Sequence, residues 1–114
     1  MERNQLGEFE EVVMLTVGIL FGDAYGVSIK KEIENRLKRK VSVGALQTAL
    51  KRLEQKGYLN SKEGESTKER AGRPKKFFTI TAQGKNVLQA THESRNSMWN
   101  AIPEIALDLK MVLA

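Results

Sequence analysis

The sequence predicts a mostly α fold with a small β-hairpin, and three observations lead there. Apolar residues recur at helical spacing in four stretches of the chain. Between the third and fourth stretches the period changes to that of strands. The excess positive charge is confined to one short region. The net charge is +5, and residues 51–76 hold nine basic and four acidic side chains, while residues 1–50 hold seven of each and residues 77–114 three of each.

The first helix is expected around Phe9–Leu20. Phe9, Val12, Val13, Thr16, Ile19 and Leu20 form one stripe, which predicts a buried face. Gly22-Asp23 ends it. Glu8, Glu10 and Glu11 are expected to be solvated charge on its surface. The second helix runs from about Val27 to Lys38, with Ile29, Ile33 and Leu37 stacked at four-residue intervals and Lys30, Lys31, Arg36 and Lys38 on its other faces.

The third helix is Ser42–Lys56. Ser42 is a natural N-cap, because its hydroxyl can accept a free first-turn N–H. Leu46, Ala49, Leu50 and Leu53 form the inner face, and Gly57 suits the left-handed residue that closes a helix. Tyr58–Ser61 and Lys75–Thr81 read as two strands, the second rich in aromatic and β-branched residues. Lys62–Pro74 between them is polar and reads as a long charged loop, with Gly64, Gly72 and Pro74 as breakers.

The last helix begins near Gln83. Leu88, Thr91, Arg95, Met98, Ile102, Ile105, Leu109 and Val112 follow alternating spacings of three and four, a heptad-like seam suited to packing against another helix. Pro103 should kink that helix or start a new one.

Helix, helix, helix, hairpin, with a basic third helix, is the order of a winged helix-turn-helix. The domain boundaries are residues 6–81 for that domain and 82–114 for a C-terminal dimerisation helix. Such a third helix can enter the DNA major groove, where each base pair shows its own donor and acceptor pattern. Its first turns then meet base edges with Val43, Gly44, Gln47 and Thr48, and Ser42 at its start belongs to the same DNA-binding stretch. Gln47 can pair with adenine, and Thr48 with a base or a phosphate. Lys51 and Arg52 are placed for phosphates, which fix register rather than sequence. Gly72-Arg73-Pro74-Lys75-Lys76 forms a basic wing. Its Arg73 can lie in a narrow minor groove, though a plain hairpin turn with surface cations has the same composition.

Other functions find less support. The chain has no cysteine and one histidine, His92, which leaves no thiolate metal site, no Cys-His pair and no catalytic residue to name. No glycine spacing suits a phosphate loop. No cofactor is expected. No apolar run nears the roughly 20 residues needed to cross a bilayer, and the polar Met1–Gln5 is no signal peptide, so a cytoplasmic location is expected. Met98, Trp99 and Ile102 form an aromatic-containing patch on the last helix. Its simplest role is dimer contact, and it is also the candidate effector pocket for a planar ligand. The alternative to a DNA regulator is a winged-helix protein-interaction module without DNA binding, since fold does not fix function.

Three stretches resemble the PadR family of transcriptional regulators: Tyr25-Gly26-Val27-Ser28-Ile29, the block from Ser42 through Gly57-Tyr58-Leu59, and Gly72-Arg73-Pro74-Lys75-Lys76-Phe77-Phe78-Thr79-Ile80-Thr81-Ala82-Gln83-Gly84. In order and spacing they cover about Phe9–Leu88. The resemblance implies a homodimer on a palindromic operator, acting as a repressor, with Tyr25 beside the DNA face. The short tail resembles the compact branch with a single C-terminal helix. Some members of that branch sense small aromatic molecules at the dimer interface and then release DNA. Many members have tyrosine where this chain has Gln47, so the operator contact there should differ.

Overall fold

The computed structural model describes residues 6–66 and 74–108. Within them lie α1 (Glu8–Ile19), α2 (Gly26–Leu37), α3 (Val43–Gln55), β1 (Leu59–Ser66), β2 (Pro74–Ile80), α4 (Ala82–Ala101) and α5 (Glu104–Leu107). The order is that of a winged helix-turn-helix followed by a long C-terminal helix.

Each boundary has a local cause. The Gly7 N–H donates to Oε1 of Glu10 at 3.2 Å, and Glu8, Glu10 and Glu11 crowd the first turn of α1, where the helix dipole favours negative charge. Before α2, the Tyr25 N–H donates to Ser28 Oγ at 2.9 Å. Lys38 closes α2 in the left-handed region, φ 53°. Ser42 caps α3 as its sequence predicts: Oγ accepts the Ala45 N–H at 3.0 Å, a contact worth about 1 kcal/mol. Gly57, φ +82°, turns the chain out of α3, and the Tyr58 N–H donates back to the Leu53 carbonyl at 2.9 Å.

The hairpin pairs Leu59 with Ile80, Ser61 with Phe78 and Glu63 with Lys76, and its register shifts between Glu63 and Ser66. β1 therefore runs five residues beyond the predicted Ser61. Main-chain pairing, which needs no apolar side chain, continues through residues whose composition reads as loop. β2 is also tied to the connection between α1 and α2, because the Phe78 N–H donates to the Ala24 carbonyl at 2.8 Å.

The core joins α1, α2, α3 and the hairpin through Val13, Met14, Val17, Ile29, Ile33, Leu46, Leu50, Leu53, Leu59 and Phe78, and Val87 extends it into α4. The four inner residues predicted for α3 are its buried residues. On α1 the predicted stripe is rotated. Met14 and Val17 are fully inside, while Ile19 is 51% exposed. Leu37, the last residue of α2, is exposed as well.

The three acidic residues of α1 are not simply solvated. Glu8 meets Arg39 at 3.1 Å, Glu10 meets Lys56 at 3.1 Å and Glu11 meets Arg95 at 2.9 Å. One helix thus has an ion pair to the α2–α3 turn, to the end of α3 and to α4.

The start of α4 is locked onto the end of α3. Thr81 Oγ1 accepts the Gly84 N–H at 2.9 Å and donates to the Gly57 carbonyl at 2.6 Å, and the Thr81 N–H donates to the Tyr58 carbonyl at 3.1 Å. Gly84 lies flat on that junction, where a β-carbon would overlap the Tyr58 carbonyl oxygen. Beyond Thr91 every described residue of α4 is exposed. The radius of gyration, 17.7 Å, accordingly exceeds the roughly 13 Å of a compact chain this long. Pro103 starts a new helix: the chain is extended at Ile102, and α5 follows.

Candidate nucleic-acid interface

The outward face of α3 bears Ser42, Val43, Gly44, Gln47, Thr48, Lys51 and Arg52, all exposed. Burial of Leu46, Ala49, Leu50 and Leu53 on the opposite face fixes this orientation. Clefts flank the helix on both sides. One lies between α3 and β2, lined by Gln47, Lys51, Glu54, Lys76 and Phe78. The other lies against the start of α1, lined by Phe9, Ala45, Thr48, Arg52 and Lys56. The 13-residue helix is about 20 Å long and stands as a ridge between two grooves. A helix with its side chains is about 10–12 Å across, which fits a major groove about 12 Å wide.

The cations divide into two sets. Among the described residues, neither Lys51 nor Arg52 has a carboxylate within ion-pair distance. Both are therefore available to phosphates. Lys76 is not equally free. Its Nζ lies 3.4 Å from Glu54 Oε1 and 5.8 Å from the centroid of the Phe78 ring. Glu54 also accepts the Ser61 hydroxyl, so one carboxylate ties α3 to both strands of the hairpin. Sequence reading missed this role of Glu54, because it depends on the strand register.

The base of the wing is packed against α2. The Tyr25 ring meets Phe77 edge-on with centroids 5.5 Å apart, and Lys75 Nζ lies 4.3 Å from the Tyr25 ring centroid. A cation over an aromatic face in a half-exposed site is held by about 0.5–1 kcal/mol. Tyr25, Phe77 and Lys75 thus share one face of β2 at the start of α2, while Lys76 and Phe78 lie on the face toward α3. Gly72 and Arg73 lie outside the described residues. Gln47 does not point straight outward. Its Nε2 lies 3.3 Å from where a β-carbon on Gly26 would stand, so the amide folds over the start of α2.

The turn into α3 has its own electrostatic fastening. Glu34 Oε2 accepts the Val41 N–H at 2.9 Å and lies 3.0 Å from Lys30 Nζ. The hydrogen bond from the Val41 N–H, and then that from Lys30, hold the Glu34 carboxyl below its ordinary pKa.

Residues 15–90, two-thirds of the chain, match the family described as the transcriptional regulator PadR-like family. The chain belongs to the PadR-like family. Solved structures agree with this assignment. A PadR-like transcription factor from Bacteroides fragilis is 27% identical, with a TM-score of 0.64 over 83% of this chain and 89% of that one. A transcriptional regulator from Clostridium thermocellum is 25% identical, with a TM-score of 0.64 over 79% and 87%. A PadR-family regulator from Eggerthella lenta shares the fold at 23% identity, with a TM-score of 0.65 over 82% and 80%. No curated protein matches the chain. As a PadR-like regulator this protein is a DNA-binding transcription factor built on a winged helix, and its family and structural neighbours are regulators rather than enzymes.

The seam expected for dimerisation divides in two. Leu88 packs against the chain's own core, the Thr91 hydroxyl donates to the Val87 carbonyl, and Arg95 pairs with Glu11. Met98, Trp99, Ile102 and Ile105 are exposed, Met98 by 74% and Trp99 by 61%. Leu109 and Val112 lie outside the described residues. His92 is exposed on α4. Among the described residues, no group of His, Asp and Glu could hold a metal ion, and no helix is long and apolar enough to cross a membrane.

Proposed function

We propose that the protein is a homodimeric repressor that binds an inverted-repeat operator. The observation that carries this reading is the exposed face of α3, which presents Val43, Gly44, Gln47 and Thr48 followed by two cations that have no carboxylate partner among the described residues, with the lysines of the hairpin beside it. Val43, Gly44, Gln47 and Thr48 meet base edges in the major groove. Lys51 and Arg52 contact phosphates, and so do Lys75 and Lys76 at the wing, while Arg73 reaches the minor groove.

The exposed apolar residues of α4 and α5 support the dimer. Met98, Trp99, Ile102 and Ile105 face solvent in the isolated chain, and a second copy would cover them. Two α3 helices related by a two-fold axis read half-sites about one DNA turn apart. A planar aromatic effector would enter at Met98, Trp99 and Ile102 and release the operator.

Selection of bound duplexes from a random pool tests the reading. An inverted repeat should emerge, bound with an affinity that falls steeply with salt. Lys51→Ala combined with Arg73→Ala should weaken binding on most sequences. Full affinity in that double variant refutes the assigned DNA face. Adding candidate aromatic ligands to the same assay tests release.

A further inference from the structure

Two valines stand exposed on the DNA face. Val43, the first residue of α3, is 60% exposed, and Val27, the second residue of α2, is 47% exposed. Neither belongs to the core. Neither is explained by helix stability, because a β-branched side chain loses rotamer freedom in a helix. Exposure of their methyl groups to water is itself unfavourable.

Both valines line one cleft of about 540 Å³, whose walls also include Leu46, Gln47, Pro74 and Lys76. The start of α2, the start of α3 and the hairpin therefore converge there. Gln47 follows Val43 by one turn, and its amide lies over Gly26, next to Val27. The cleft thus offers apolar surface beside a hydrogen-bonding amide, and its charged lining residues are Lys30, Lys76 and Glu63, two cations against one carboxylate. A matching partner carries an apolar group of about methyl size, a hydrogen-bonding edge beside it and negative charge around it. Unmodified duplex DNA offers that combination in one place, the thymine C5-methyl in the major groove, next to base edges and flanked by phosphates.

We propose that Val27 and Val43 form a receptor for a thymine 5-methyl group. The proposal deepens the reading of α3 as the major-groove helix and rests on it. It assigns Val27, on the supporting helix, a share in specificity.

Deoxyuridine provides the test, because it pairs as thymidine does and lacks only the methyl. The probe is the duplex recovered from the random pool, with each thymidine of a half-site replaced in turn and affinity read by fluorescence anisotropy at fixed salt. Burying one methyl is worth about fourfold in affinity. One position per half-site should show that loss, and replacement in both half-sites should compound it to about fifteenfold. Val43→Ala and Val27→Ala should bind the parent duplex more weakly and lose discrimination between thymidine and deoxyuridine. Both positions are exposed and alanine is the better helix former, so the thermal midpoint should not fall. If every substituted duplex binds like its parent, or if the double variant still discriminates, the receptor is refuted while the repressor reading stands. If the pool yields no preferred sequence, both fail together.

Discussion

Replacing Gly84 by alanine should reverse the usual sign of that substitution. Glycine to alanine inside a helix ordinarily stabilises by about 1 kcal/mol. Gly84 is the third residue of α4, and there the new β-carbon would overlap the Tyr58 carbonyl oxygen and stand 3.1 Å from Met14 Cε. The carbonyl belongs to backbone, so α4 must move. That movement strains the bonds Gly84 N to Thr81 Oγ1, Thr81 Oγ1 to Gly57 O and Thr81 N to Tyr58 O. Overpacking costs about 1–3 kcal/mol, and each loosened hydrogen bond about 1 kcal/mol. Set against the propensity gain, the net loss is about 3–5 kcal/mol if all three bonds are loosened. Urea denaturation reads it as a lowered midpoint at unchanged slope. Gly44→Ala is the internal control, since a β-carbon there meets nothing within 4 Å. It should be neutral or slightly stabilising. A Gly84→Ala protein as stable as its parent would refute the tight seating of α4.

Four further outcomes follow from the charges and the exposed face of α4. Glu34 has a lowered carboxyl pKa in the folded state, so its stabilising effect is present above the ordinary glutamate pKa and is lost as pH falls through the lowered one. The gap in urea midpoint between the parent and Glu34→Gln should therefore be full at pH 7 and shrink on acidification below about pH 4.3. On DNA, Lys51→Ala should reduce the salt slope by about one for each phosphate that is no longer neutralised. Lys76→Ala should lower affinity less than Lys51→Ala, because Lys76 must first leave Glu54, and anisotropy titrations at several salt concentrations separate the two. Met98→Ser with Ile102→Ser should shift sedimentation toward the monomer and lower operator affinity by more than tenfold, while the sole tryptophan, Trp99, reports the change by its emission.

The inner face of α3 was legible because its apolar and polar residues are sharply separated and both of its ends carry strong signals, Ser42 and Gly57. The inner face of α1 was not. Val12, Val13, Met14, Leu15, Val17, Ile19 and Leu20 surround that helix with apolar groups, so periodicity finds several acceptable stripes. Tertiary packing chose Met14 and Val17 over Ile19. The length of β1 was hidden because Lys62, Glu63 and Gly64 resemble loop residues, and only their partners on β2 make them strand. The same holds for Glu54. Its place in the helix can be read locally, but its contacts with Ser61 and Lys76 exist only once the hairpin has folded back. In the C-terminal helix the heptad spacing was visible, but spacing does not say which chain a residue faces. Leu88 and Arg95 turn inward to their own domain.

The junction at Thr81 makes α4 a lever. Its 20 residues extend about 30 Å from a pivot hydrogen-bonded to Gly57, just past the end of α3. At that radius a tilt of about 5° moves the far end by about 2.6 Å. Worked in reverse, whatever clamps the tip of the lever sets the angle at which α3 is presented. In the proposed dimer, small adjustments near Trp99 would be geared into changes in the distance between the two α3 helices.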